Sequence, residues 1–139
     1  MTEGAQQRAA DLTRGRDRER GSAVADFVMV TGLVLFIFLG VFQLGLVLHT
    51  RNTLFAAAAE GARVAARADA APEDGILRTQ ELIRAQLADR YAEQVSAGSE
   101  TVNGARVMVV RVIAPVPVIG PFGPGDGLDV SSRAYAERQ

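Results

Sequence analysis

Phe27-Val-Met-Val-Thr-Gly-Leu-Val-Leu-Phe-Ile-Phe-Leu-Gly-Val-Phe-Gln-Leu-Gly-Leu-Val-Leu48 runs for 22 residues without a charge, and only Thr31 and Gln43 in it are polar. As a helix it spans roughly 33 Å, slightly more than the hydrocarbon core of a bilayer at about 30 Å. Sixteen of its residues are Leu, Ile, Val or Phe. At about −0.3 to −0.6 kcal/mol each they favour insertion by roughly 5 to 9 kcal/mol. Asp26 sits at the edge of the stretch, and a midplane cost of roughly 3 kcal/mol for a carboxylate does not reverse that sum. The core helix of a soluble protein keeps a polar face, whereas this segment is apolar all round. A cleaved secretory signal has an apolar region of about 7–15 residues, much shorter than this one. The Ala-x-Ala pattern of Ala56-Ala57-Ala58 is set off from it by the polar His49-Thr50-Arg51-Asn52-Thr53. The segment therefore reads as a retained membrane span.

Basic residues near the ends of a span set its orientation. Arg8, Arg14, Arg16, Arg18 and Arg20 precede the span, and only Arg51 follows it closely. This predicts a single-pass protein of the cell (inner) membrane, with its N-terminus in the cytoplasm and everything after about His49 outside. Residues 1–21 are polar and without apolar periodicity, and are expected to be disordered.

Beyond the span, residues 51–68 contain strong helix formers and no proline, so the helix is expected to run on to about residue 68. Ala57, Gly61 and Ala65 repeat every four residues, as do Ala58, Ala62 and Ala66. Rows of small residues let another helix approach closely. The alternative is an alanine-rich helix reflecting only a biased composition. Glu60 and Arg63, three apart, can pair on the helix surface.

Asp69-Ala-Ala-Pro72 breaks the pattern, and Pro72 with Glu73 and Asp74 suits the first turn of a new helix. Ile76, Ile83, Leu87, Tyr91 and Val95 form one stripe, which predicts an amphipathic helix over 73–95 ended by Gly98. Arg106 to Ile113 alternates as a strand, with Val107, Val109 and Arg111 on one face and Met108, Val110 and Val112 on the other. Gly120 to Gly127 is turn-forming, and Leu128 to Ala136 can return as a second strand. Pro115 and Pro117 limit how far the first strand can pair. The expected architecture is α+β: a long N-terminal membrane helix, a second amphipathic helix and a small antiparallel sheet. It divides into a leader (1–21), the membrane helix with its extension (22–68) and an outer domain (69–139). With about 70 residues and no cysteine, that domain is marginal alone, so it is expected to pack on the exported helix or on neighbouring subunits.

Composition excludes several functions. The 15 basic and 16 acidic residues nearly cancel, so no nucleic-acid partner is indicated. Without cysteine there is no disulfide and no thiolate metal site. His49, the single histidine, sits at the outer edge of the span, where a polar residue is expected anyway. Ser131-Ser132 lies in a strand with no evident base. Asp126 and Asp129 flank a glycine, and two carboxylates do not make a calcium site. No enzymatic activity and no cofactor are expected.

The junction before the span carries a more specific signal. Arg20-Gly21-Ser22-Ala23-Val24-Ala25-Asp26-Phe27 resembles a prepilin-type processing site: a glycine before the cut, a carboxylate at the fifth mature position and an aromatic after it. With Arg51-Asn52 and Glu60-Gly61-Ala62-Arg63 downstream, the stretch from Arg20 to Arg67 resembles the TadE-like family, whose members are minor pilins or pseudopilins of the tight-adherence (type IVc) pilus. Most members have glutamate where Asp26 stands. The resemblance implies cleavage between Gly21 and Ser22, an assembly role for Asp26 and Phe27, and a structural subunit of a pilus or secretion apparatus. Its implied partners are other pilin-like subunits, the tight-adherence secretion machinery, a transient prepilin peptidase and the lipid bilayer. In physical terms, the cut would leave an amine on Ser22 close to the Asp26 carboxylate. Their pairing at a subunit contact would remove the cost of a lone charge in lipid. The residues alone leave open a second reading, an unprocessed signal-anchored envelope protein whose outer domain binds a protein or ligand.

Overall fold

The computed structural model describes the backbone of residues 3–117 and 127–136, with side chains from Ser22 onward. Helix α1 runs from Glu3 to Ala65, followed by α2 (Pro72–Gln86), a short 3-10 turn (Asp89–Ala92), and strands β1 (Gln94–Val102), β2 (Ala105–Ala114) and β3 (Leu128–Tyr135). The expected α+β architecture is present. Residues up to Phe42 form one compact unit and residues from Gln43 onward another.

In the first unit the backbone is helical from Glu3, where the sequence reading expects disorder in residues 1–21. The correction has a local cause: Glu3 to Arg20 holds no proline and is rich in alanine, glutamine and arginine, all good helix formers. From Ser22 to Phe42 every side chain is exposed. The candidate membrane window there has a mean hydropathy of 2.5 and buries nothing.

In the second unit, α1 from Gln43 to Ala65 lies against the elements that follow it. Its buried side is the row Thr50, Leu54, Ala57, Ala58, Gly61, Ala62 and Ala65, spaced at three and four residues. The chain turns at Ala66–Ala71. Ala71 is extended (φ −98°, ψ 158°), as the residue before a proline must be. Its N–H donates to the Asp74 carboxylate at 2.9 Å, and the Asp74 N–H donates to its carbonyl at 3.1 Å, which closes the first turn of α2.

Helix α2 stops at Gln86, nine residues before the expected end at 95, where Leu87 adopts an extended backbone (φ −130°). The apolar stripe survives this change. Ile83 and Tyr91 are buried and Ile76, Leu87 and Val95 half-buried, but Tyr91 arrives on the 3-10 turn and Val95 on β1. Gly98 therefore lies inside a strand and does not end a helix. Strand β1 was not expected. It pairs antiparallel with β2 through the two-residue turn Asn103-Gly104, both at positive φ (50° and 78°). That is the left-handed backbone of a type I′ hairpin, which Asn-Gly favours.

The sheet order is β1-β2-β3, all antiparallel. Its inner face stacks Val95, Val112 and Val130 in register, then Ala97, Val110 and Ser132, then Ser99, Met108 and Ala134. Leu54, Ala58 and Ala62 of α1, Ile83 of α2 and Val110 and Val112 of β2 belong to one core cluster. A smaller cluster joins Ala65, Ala66 and Met108 near the end of α1. The opposite, outer face is mixed, with Val107 buried and Val109 half-buried, and it carries ion pairs: Arg111 donates to Asp129 from Nε at 2.8 Å and again from its guanidinium, and Arg133 lies 3.7 Å from Glu100.

Candidate functional site: the Gly21 junction and the helix it precedes

The residues singled out in the sequence fall at two places on α1. Gly21, Ser22, Asp26 and Phe27 lie in the first unit, on uninterrupted helix. Ser22, Asp26 and Phe27 are exposed, Phe27 at 71%. The helix already runs from Glu3, so Asp26 lies far past its first turn and the helix dipole, confined to the terminal turn, does not explain a carboxylate there.

Ala57, Gly61 and Ala65 form the second group, in the buried row of the second unit. At Gly61, α1 and α2 are in tight contact. A Cβ built on it would lie 1.9 Å from Thr79 Oγ1 and 2.6 Å from the Gly75 carbonyl oxygen, and one on Gly75 would lie 2.7 Å from the Gly61 carbonyl. The two glycines face each other because nothing larger fits. Thr79, fully buried, donates its hydroxyl to the Gly75 carbonyl at 2.8 Å, with the Ala57 carbonyl 3.4 Å away. The small-residue row thus receives a helix of its own chain, α2. Glu60 and Arg63 pair at 3.5 Å on the exposed side, an arrangement of small energetic weight.

The remaining candidates are placed without forming a centre. His49 is exposed, its carbonyl accepting from the Thr53 hydroxyl at 3.0 Å. Ser131 is on the outer face beside Arg111, and Ser132 on the inner face opposite Val110. Asp126 lies outside the described residues, as does most of the Gly120–Gly127 loop. The Asp129 carboxyl is lowered from its ordinary value, first by its hydrogen bond from Arg111 and less by that residue's charge. Among the described residues no group of three or more His, Cys, Asp or Glu could hold a metal ion. A groove of about 560 Å³ opens between the end of α1 and the β1–β2 turn, with Arg67 and Arg106 on its walls.

One residue was noted in the sequence only as polar and was given no role. Gln43, inside the uncharged stretch, donates from Nε2 to the Pro117 carbonyl at 2.6 Å. The signal was a lone amide in an otherwise apolar span, which requires a partner. The Asn103-Gly104 dipeptide was the corresponding signal for β1.

Residues 21–63 match the TadE-like protein family, on the stretch that carries the resemblance in the sequence. No curated protein and no solved structure matches the chain.

Proposed function

We propose, from the TadE-like segment at residues 21–63, that the chain is a minor pilin-like subunit of a tight-adherence-type pilus or secretion apparatus, acting in structure and assembly without catalysis. The observation that carries this reading is where the family match falls. It opens at Gly21, crosses the fully exposed apolar stretch and ends at Arg63 in the outer unit. The α1 helix holds the protein in the inner membrane, the five leader arginines keep the N-terminus in the cytoplasm, and the sheet lies outside. A prepilin peptidase cuts between Gly21 and Ser22. The new Ser22 amine then lies one helical turn from the Asp26 carboxylate, and the two neutralise each other within a chain or between neighbouring subunits. Phe27 and the residues after it stay in lipid or against other subunits.

Mass spectrometry of membrane-extracted protein tests the reading. A mature chain starting at Ser22 with its apolar helix intact is expected. A start at Met1 contradicts processing, and a start near Ala59 contradicts the retained anchor.

A further inference from the structure

We infer that the segment Pro115-Val116-Pro117, at the lower end of β2, sits in the lipid headgroup and acyl boundary on the C-terminal side of the membrane, held at that depth by Gln43. The inference rests on α1 spanning a bilayer. The uncharged stretch of α1 ends at Leu48, and Gln43 is five residues inside it, about 7.5 Å along the helix. Its side chain reaches the Pro117 carbonyl at 2.6 Å, so this backbone lies beside a part of the helix that is itself apolar enough for lipid. The depth agrees with the roughly 5–10 Å at which interfacial apolar elements bury themselves.

The chemistry of the segment fits a water-poor setting. Pro115 and Pro117 have no N–H, so only Val116 brings a backbone donor. The Pro117 carbonyl, which would be costly to leave unpaired away from water, is satisfied by Gln43. The sequence carries no charge from Val112 to Gly125. Pro115 is exposed, with Val116 and Pro117 half-buried, which leaves apolar surface free for lipid. The course of β2 agrees with the placement. Met108 clusters with Ala65 and Ala66 at the far end of α1, and β2 descends alongside the helix to bring residue 117 to residue 43. The Gln43 amide and the prolines would thus set how deeply the outer unit rests in the membrane.

The chain has no tryptophan, which permits a direct test. Full-length Val116→Trp, Pro115→Trp, Phe36→Trp and Val102→Trp variants are reconstituted in phosphatidylcholine vesicles without bromine, with bromine on the acyl chains near the headgroup, or with bromine deep in the acyl chains. Expected is loss of emission to bromolipid for Val116→Trp, Pro115→Trp and Phe36→Trp, and none for Val102→Trp at the hairpin tip. Pro115 is exposed, so its variant reports even if Val116→Trp disturbs the fold. If Phe36→Trp is quenched while both loop variants remain unquenched and open to aqueous acrylamide, the inference is overturned and the membrane span stands. If Phe36→Trp also escapes quenching, the span itself fails and the inference with it.

Discussion

Helix α1 has two halves that treat apolar residues in opposite ways. From Ser22 to Phe42 it carries large side chains, with Phe36 at 74% exposure and Phe38 at 65%, and buries none of them. From Gln43 to Ala65 it buries a row made mostly of alanine and glycine. On the proposed membrane reading, the first half is stabilised by transfer into lipid, which scales with side-chain area. In the second, each alanine contributes little area, and what it provides is closeness: α2 meets α1 where Gly61 faces Gly75. Hydropathy alone would have ranked the exposed half as the core. Small residues mark where α1 touches α2, and large exposed ones mark the stretch proposed to lie in lipid.

Substitutions can break this contrast. The largest effect is expected at Leu54, fully buried in the outer core. Leu54→Ala should cost the outer unit about 2–5 kcal/mol, read as a lowered midpoint in chemical denaturation of detergent-solubilised protein. Phe36→Ala, although a larger truncation, should leave that midpoint unchanged. Glycine gives a second pair. Gly61→Ala places a methyl group on Thr79 and the Gly75 carbonyl and should cost about 1–3 kcal/mol. A Cβ on Gly32 would meet nothing within 4 Å, so Gly32→Ala should be neutral or raise helix stability slightly. Equal costs for the two would show that α1 and α2 do not meet at Gly61.

The smallest effect belongs to the outer face of the sheet. Asp129 has its carboxyl lowered by the hydrogen bond from Arg111. A group lowered in the folded state contributes stability above its unfolded value and loses it as pH falls through the folded value. Stability should therefore decline slightly with acidification in the wild type, while the Asp129→Asn variant should be slightly less stable at neutral pH and converge with the wild type as pH falls, so that its decline is shallower. The pair is exposed, and added salt should diminish the difference.

How much of this was legible depends on the element. The apolar stretch from Phe27 to Leu48 specified its helix because no competing pattern fits 22 uncharged residues. The alternation from Arg106 to Ile113 specified β2 and assigned its faces, and Pro72 marked the start of α2. The stretch from Gln86 to Val102 misled for a physical reason. Leu87, Tyr91 and Val95 are spaced by four, which mimics a helix stripe, while their side chains reach the core from an extended residue, a 3-10 turn and a strand. In β1 the inward positions Ala97 and Ser99 and outward Ser96 and Gly98 are all small, so period two is faint. The Asn103-Gly104 turn was the better sign. At the Gly21 junction the resemblance rests on local spacing, and the family match begins at the same residue. The bond from Gln43 to Pro117 spans 74 positions and no local pattern encodes it.

The two-halves account is tested most directly by cysteine accessibility, since the chain has no cysteine of its own. Phe55 is exposed on the half that packs with the outer unit, and Phe36 is exposed on the lipid half. Intact cells producing Phe55→Cys or Phe36→Cys are treated with a membrane-impermeant maleimide. The account predicts rapid labelling at Phe55→Cys and none at Phe36→Cys until the membrane is dissolved and the protein denatured. Labelling of Phe36→Cys in intact cells, or protection of Phe55→Cys until the cells are opened, would contradict it.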